Sequence, residues 1–250
     1  MQITSVNNDL VKETAKLQQK KYRTQSGKFL LEGFKSIKEA FDYGIKIEKI
    51  FADKKHLSDY SFFDGDIVET TEAVLKKLSS TDSAPEAVAV GFQKIYDKSV
   101  FKNAKKAVLL ENIKDLGNLG TIIRSSVAFN VDVIVLYGGQ SVDIYNPKSV
   151  RASVGNLWKI PIIEIKEFGD LREIFKDYNR IATLPRTKNL LKNYKINLPA
   201  LIMFGSEADG LSQELTEYST DTVKIEMSKD VESLNLASSV SIILYELFME

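Results

Sequence analysis

Short apolar runs alternate with amphipathic segments along the chain, and the runs have the length of β-strands. In the first part, we predict strands for four runs: KFLLEG, IEKIFAD, DIVET and PEAVAVGFQ. The helices expected there run from Asn8 or Asp9 to about Lys20, through FKSIKEAFDYG to Gly44, and through TEAVLKKLS after Thr70 or Thr71.

The alternation becomes more regular after a polar, basic stretch, KIYDKSVFKNAKK, where we place a domain boundary at about residues 95 to 105. The strands expected beyond it are AVLLEN, VDVIVLYG, RIATLP, ALIMFGS and TVKIEM. The final segment, SLNLASSVSIILYELFME, predicts a helix capped by Ser233. This pattern predicts an α/β fold with a mostly parallel sheet and helices on both faces.

Composition narrows the chemistry that the chain can perform. Lys and Arg total 34 against 34 Asp and Glu, so a nucleic acid would have to bind a local basic patch. Cysteine is absent, and the single histidine, His56, lies far from the strand ends of the second part. Hydrolytic triads and zinc sites are therefore poor candidates, and we expect no metal. The polar start and the absence of an apolar run of about 20 residues predict a cytoplasmic protein with no membrane contact.

Polar groups follow three of the expected strands, at the edge of an α/β sheet where ligands bind. After AVLLEN, Gly117 and Gly120 precede a predicted buried helix whose N-terminus could bind an anion. Arg124, expected one turn inside that helix, could point back toward a phosphate. An ordinary strand-to-helix turn is the alternative explanation of the two glycines.

The other two strand ends carry an acid and a polar pair. Glu207 follows ALIMF ahead of a helix expected to begin near Ser212, and its charge alone could favour that helix N-terminus. Ser233 and Asn235 flank the start of the last helix, where capping explains Ser233 better than Asn235. Together the three strand ends predict one site.

A basic stripe marks the N-terminal part. Lys12, Lys16 and Lys20 recur every four residues and would share one face of a helix. The basic residues that we predict to bind RNA are Lys12, Lys16, Lys20, Lys21, Arg23 and Lys28. The pattern leaves two alternatives open, a solvated helix face or a surface that follows a phosphate backbone.

The three strand ends resemble the three motifs of the SpoU (TrmH) family of RNA ribose 2′-O-methyltransferases, in the SPOUT superfamily. DLGNLGTIIRSSVAFNVDVIVL is similar to the first motif, LIMFGSEADGLS to the second and VKIEMSKDVESLNLASSVSIILYEL to the third. PKSVRASVGNLWKIPI is similar to the linking segment of the family. The resemblance covers the chain from about residue 107 to its end.

The resemblance implies methyl transfer from S-adenosyl-L-methionine to a ribose 2′-hydroxyl of RNA. It also implies a C-terminal deep trefoil knot and a homodimer in which the partner's first motif completes each site. The residues at the catalytic positions of the family are Arg124, Asn118, Glu207, Ser233 and Asn235. The residues at its cofactor-binding positions are Gly205, Ile225, Leu234, Met227 and Leu236. Arg124 would stabilise charge on the 2′-oxygen, and Glu207 would hold Arg124 or its loop.

The first part, NDLVKETAKLQQKKYRTQSGKFLLEGFKSIKEA, resembles the small α/β substrate-binding domain of this family, which is similar to kink-turn-binding ribosomal proteins. We therefore predict an RNA-binding domain over 1–98, a methyltransferase domain over 105–250, and ribosomal RNA as substrate. A transfer-RNA ribose methyltransferase and a non-catalytic RNA-binding assembly factor are the alternatives. Glu226 departs from the family pattern, because many members have proline there.

Overall fold

The computed structural model describes residues 1–139, 142–231 and 233–249. The elements before residue 96 are β1 (Gln2–Ile3), α1 (Asp9–Ala15), α2 (Lys20–Ser26), β2 (Lys28–Glu32), α3 (Phe34–Asp42), β3 (Ile47–Asp53), β4 (Asp66–Thr70), α4 (Glu72–Leu78) and β5 (Ala87–Phe92). The later elements are β6 (Lys106–Glu111), α5 (Leu116–Ala128), β7 (Val133–Tyr137), α6 (Pro147–Ala152), β8 (Ile162–Ile165), α7 (Phe168–Ile174), β9 (Asn179–Thr183), β10 (Ala200–Phe204), α8 (Gln213–Tyr218), β11 (Asp221–Val223) and α9 (Leu236–Phe248).

The chain forms two compact units, and the first consists of residues 1–95 together with 143–158. Its sheet has the order β1-β4-β3-β5-β2 among the described residues. The first three strands are mutually parallel, whereas β5 is antiparallel to both β3 and β2. Side chains from α1 and α4 pack with this sheet in one apolar core.

The helix expected from Asn8 to about Lys20 is broken, which corrects the prediction of a single basic face. α1 ends at Ala15, a short 3₁₀ turn follows, and Gln19 is extended before α2 begins. The break is fixed by tertiary contacts, because Leu17 is buried and the Gln18 amide donates to the carbonyl oxygens of Lys77 and Ser79. Tertiary packing therefore overrides local helix propensity here.

The segment 143–158 belongs to the first unit although it follows β7 in the chain. The ring of Phe29 in β2 lies 4.8 Å from that of Tyr145 and 5.3 Å from that of Trp158, measured between centroids. Trp158 is buried, as expected for a packing residue. The chain consequently crosses between the units near residues 95, 142 and 158, rather than once at the predicted boundary.

The second unit contains residues 96–142 and 159–250. Its sheet has the order β11-β9-β10-β6-β7-β8 over the residues that the structure describes, and each of these neighbouring pairs is parallel. Alternate residues of β6 and β10, such as Leu109 and Met203, pack in a cluster with side chains of α7 and α8. The intervening residues point to the opposite face and are also buried, so both faces of the sheet are covered.

The parallel register aligns the carboxyl ends of the central strands. Phe204 pairs with Leu110, and Val223 pairs with Thr183. The connections that follow β6, β9, β10 and β11 therefore leave the sheet at one edge. The expected strand TVKIEM is shorter than predicted, since β11 ends at Val223 and Lys224 forms only an isolated bridge to Leu190.

Candidate active site

A cavity of about 680 Å³ opens at this edge of the second unit. Its walls come from four stretches of chain, 183–185, 204–211, 223–227 and 233–243. The five residues that resemblance placed at cofactor positions all line it, namely Gly205, Ile225, Leu234, Met227 and Leu236. Its surface thus combines apolar side chains with the main chain of the loop that follows β10.

That loop is folded so tightly that only glycine fits at position 205. A Cβ atom on Gly205 would lie 1.9 Å from the carbonyl carbon of Gly210 and 2.0 Å from the nitrogen of Leu211. Ser206 and Gly210 exchange main-chain hydrogen bonds of 3.2 and 3.1 Å, and Gly210 has a φ of +68°. The loop therefore presents its main chain to the cavity without an intervening side chain.

Three predicted catalytic residues meet in one hydrogen-bonded chain. The Nδ2 of Asn118 donates to Oε1 of Glu207 at 2.7 Å. The Nδ2 of Asn235 donates to Oδ1 of Asn118 at 3.0 Å. Glu207 and Asn235 also line the cavity, so the chain joins the three sequence motifs at its rim.

The helix after β6 begins earlier than expected. Asp115 caps α5 by accepting from the main-chain N–H of Asn118 at 2.6 Å, so Gly117 and Gly120 lie inside the helix. Arg124 is then more than two turns from the N-terminus and cannot act there. The Asp115 carboxylate therefore lies at the N-terminus of α5, where we expected an anion to bind.

Arg124 is exposed on the surface of α5. Ile122 and Ile123 are buried, but Arg124 lies on the opposite side of α5. It does not line the cavity, and it forms no hydrogen bond or ion pair with any described residue. In particular, Glu207 binds Asn118 rather than Arg124.

Asn235, and not Ser233, caps the last helix. Its Oδ1 accepts from the main-chain N–H of Ser238 at 3.3 Å, and α9 begins at Leu236. Ser233 lies at the cavity wall with no hydrogen-bond partner in the described part of the chain. The capping role that we expected for Ser233 is therefore wrong. The end predicted for this helix, Glu250, lies outside the described residues.

The sequence patterns did not single out Glu111, the last residue of β6. This carboxylate is buried, and its Oε2 accepts from the main-chain N–H of Ser212 at 2.7 Å. Nearby, the hydroxyl of Tyr137 donates to Glu214 at 3.0 Å. Burial, together with this bond, raises the pKa of Tyr137 to about 12. A charged residue at the end of an apolar strand was the available signal for Glu111.

Comparison with known proteins identifies the family. The model of the SpoU rRNA Methylase family matches residues 105–245, which is more than half of the chain. The chain belongs to the SpoU rRNA methylase family. The model of the MRM3-like substrate binding domain matches residues 8–89.

Relatives of this SpoU family member match it along nearly its whole length. An uncharacterized tRNA/rRNA methyltransferase of Synechocystis is 33% identical, over 98% of this chain and 92% of the relative. The 23S rRNA (guanosine(2553)-2'-O)-methyltransferase RlmP of Bacillus subtilis is 27% identical over 98% of each chain. The crystal structure of AdoMet-bound rRNA methyltransferase from Sinorhizobium meliloti is 26% identical and aligns with a TM-score of 0.87, over 98% of this chain and 96% of that one.

Glu226, the departure from the SpoU pattern, lies between two residues that line the cavity, Ile225 and Met227. Its exposed carboxylate forms an ion pair with Lys192. This ion pair thus constrains the chain at residue 226 of this SpoU family member, where many members have a proline.

Most of the basic side chains that we predicted to bind RNA are already paired. Lys12 lies 3.6 Å from Asp9, Lys16 lies 2.5 Å from Glu13, and Lys28 lies 2.8 Å from Glu48. Arg23 is 1% exposed, and its guanidinium contacts Asp143 at 2.6 Å and the carbonyl of Leu17 at 2.7 Å. The prediction for Arg23 is wrong, because a buried guanidinium that binds Asp143 and the Leu17 carbonyl has no exposed face left for a phosphate. Lys20 and Lys21 remain exposed and without an ion pair within the described ranges.

The described residues lack two further features. They contain no group of three or more His, Cys, Asp or Glu side chains placed to hold a metal ion. Among the same residues, every helix is too short or too polar to cross a membrane.

Proposed function

We propose that this protein transfers a methyl group from S-adenosyl-L-methionine to a ribose 2′-hydroxyl of ribosomal RNA in the cytoplasm. The observation that carries the proposal is the hydrogen-bonded chain of Asn118, Glu207 and Asn235 at the rim of the cavity. The names of two relatives support it, since one acts on 23S rRNA and the other was crystallised with the cofactor.

The cavity fits the cofactor by its size and by its lining. Its volume of about 680 Å³ lies within the ~300–1,000 Å³ of small-molecule sites. Leu234, Ile225 and Met227 offer apolar walls for the adenine ring, and the main chain next to Gly205 offers N–H and C=O groups for its polar edge. When bound, S-adenosyl-L-methionine supplies an electrophilic methyl group on a sulfonium.

The residues at the rim position the ribose and stabilise charge on it. Transfer requires the 2′-oxygen to approach the methyl carbon in line, and Asn118, Ser233 and Asn235 orient the substrate for that approach. Glu207 holds Asn118 in place through a charge-assisted hydrogen bond. Arg124 contacts the target phosphate or ribose and stabilises the negative charge that develops on the 2′-oxygen. A guanidinium keeps its proton in neutral solution, so Arg124 is not the base.

Arg124 can reach such a site only from another protomer, because it does not line the cavity of its own chain. α5 and α9 are neighbours, and the hydroxyls of Ser125 and Ser241 lie 2.6 Å apart. On α9, Ile242 and Tyr245 are 42% and 59% exposed, and Met249, directly after it, is 44% exposed. A homodimer that buries this apolar face would bring Arg124 of the partner subunit to the cavity.

The two family models support a division of labour along the chain. Residues 1–98 carry RNA substrate binding, and residues 105–250, of which 143–158 pack within the first unit, carry methyl transfer. Within the second, the C-terminal strands and α9 pass through a loop to form a deep trefoil knot. The convergence of residues 183–185, 204–211, 223–227 and 233–243 on one cavity supports this arrangement.

The test is methyl transfer by the purified protein. Total RNA from cells that lack the gene, which contains both ribosomal and transfer RNA, is incubated with the protein and with S-adenosyl-L-methionine labelled in its methyl group, and ribose methylation is then mapped. Label at a single ribose 2′-oxygen of ribosomal RNA is the expected result. Label on transfer RNA alone would identify transfer RNA as the substrate. Binding of the cofactor or of RNA without methyl transfer would favour the non-catalytic assembly factor.

A further inference from the structure

A stretch of the second unit is rich in positive charge and free of acids. From Tyr178 to Ser206 the sequence contains Arg and Lys but neither Asp nor Glu. One of these cations, Arg180, is structural, because its guanidinium donates to the main-chain oxygens of Phe175, Lys176 and Tyr218, among others. The remaining four are exposed and lie in residues 184–196, here called the basic segment: Arg186, Lys188, Lys192 and Lys195.

The basic segment is fixed at the wall of the cavity. It begins with Leu184 and Pro185, which line the cavity. Hydrogen bonds then tie it to β11 and to Lys224, another residue of the cavity lining. They join the hydroxyls of Thr187 and Thr222 at 2.6 Å, the Asn189 amide and Asp221 at 2.8 Å, and the Leu191 N–H and Lys224 carbonyl at 2.9 Å. The cations of this segment therefore project from an anchored main chain.

Most of these charges have no acidic partner among the residues that the structure describes. Lys192 pairs with Glu226, and the carboxylate of Asp221 accepts from the Asn189 amide and the N–H of Thr222. Arg186, Lys188 and Lys195 form no ion pair with the described residues. The N-terminal stripe shows the reverse pattern, because four of its six predicted RNA contacts are neutralised by Asp or Glu.

We infer that the basic segment is a phosphate-binding surface that holds the RNA strand beside the cavity, next to the ribose to be methylated. This inference rests on the proposed function and assigns part of the RNA contact to the methyltransferase unit itself. A strand whose ribose lies at the rim must carry its flanking phosphates past the cavity wall, where the unpaired cations lie. The attraction between these cations and the RNA phosphates contributes affinity without any base preference. It also fixes the direction from which the strand approaches the cavity.

The test compares two triple variants with equal loss of charge. The first is Arg186→Gln/Lys188→Gln/Lys195→Gln. The control is Lys102→Gln/Lys105→Gln/Lys176→Gln, whose exposed lysines lie before β6 and β9, at the opposite edge of the same sheet. Binding of ribosomal RNA from cells that lack the gene is measured over a range of salt concentrations, with cofactor affinity and thermal unfolding as checks on folding.

In the first variant, RNA affinity should fall on the order of 100-fold at ~0.1 M salt, and the slope of log K against log salt should lose about two to three units. The control variant should keep the wild-type slope, and both variants should bind S-adenosyl-L-methionine normally. Equal slopes in the first variant and the wild type would overturn the inference. Failure of the proposed function is a separate outcome, seen when the wild-type protein methylates no RNA.

Discussion

The amide of Asn118 lies 2.7 Å from the carboxylate of Glu207, although 89 residues separate them in the chain. Asn118 uses both ends of its amide, since its oxygen accepts from Asn235 at 3.0 Å. These bonds join the chain segments that follow three different strands. The rim of the cavity therefore has its geometry before substrate binds, as positioning for an in-line transfer requires.

Two substitutions of Glu207 distinguish the role of its charge from its role in holding Asn118. Glu207→Gln keeps an oxygen that can accept from Asn118, so it should retain most of the wild-type kcat. Glu207→Ala removes the acceptor and frees Asn118, and kcat should fall by about 10- to 100-fold, because small misplacements in such sites cost that much. Transfer kinetics and calorimetry with S-adenosyl-L-methionine provide the measurements. If both variants matched the wild type, Glu207 would have no part in positioning.

Arg124→Ala should abolish methylation and leave cofactor affinity nearly unchanged, because Arg124 does not line the cavity of its own chain. In a homodimer with shared sites, a mixture of Arg124→Ala and Asn235→Ala chains contains hybrid dimers with one complete site. If each variant is inactive alone, an equal mixture reassembled at random should regain about a quarter of wild-type activity.

The control for this complementation is a mixture of Arg124→Ala with a second preparation of the same variant, which should stay inactive. Size-exclusion chromatography with light scattering checks that dimers form. A dimeric mixture without recovered activity would place Arg124 and Asn235 of the same chain in one site and contradict the shared arrangement.

Arg23→Ala should destabilise the first unit. The change leaves the carboxylate of Asp143, which is only 15% exposed, without its cation. Loss of one partner from such a pair should lower the free energy of unfolding by about 3 kcal/mol. Lys21→Ala, an exposed change in the same helix, should stay within about 0.5 kcal/mol of the wild type. Urea unfolding followed by circular dichroism measures both, and equal effects would argue against a structural role for Arg23.

Stability should fall in alkaline solution, and Tyr137 should contribute part of that fall. Burial raises its pKa to about 12 in the native state, whereas a tyrosine in an unfolded chain titrates near pH 10. Between these values the unfolded state has released the proton and the native state still holds it, so the free energy of unfolding decreases as pH rises. Tyr137→Phe should reduce this slope by up to about 1.4 kcal/mol per pH unit. Urea titrations of the wild type and of Tyr137→Phe at several pH values from about 9 to 11 measure how the free energy of unfolding depends on pH. The same slope in both proteins would show that Tyr137 is not responsible.

The sequence by itself determined the α/β class, most of the strands and the three stretches that form the site. Runs such as AVLL and ALIMF are apolar throughout because strands of a covered parallel sheet are buried on both faces. Gly205 and Asn118 were identified from motif resemblance. Local patterns suffice for such features, since strand length, burial and glycine requirements are encoded close together in the chain.

Only the tertiary structure decided which groups are free to act. Arg23 and Lys20 are both basic residues of α2, yet one is buried against Asp143 and the other is exposed. Asn235 rather than Ser233 caps α9, and Arg124 faces away from the cavity of its own chain. The pairing of a charge and the direction of a side chain depend on residues distant in sequence, such as the 120 positions between Arg23 and Asp143. The pattern of residues along the chain does not contain that information until the fold brings the partners together.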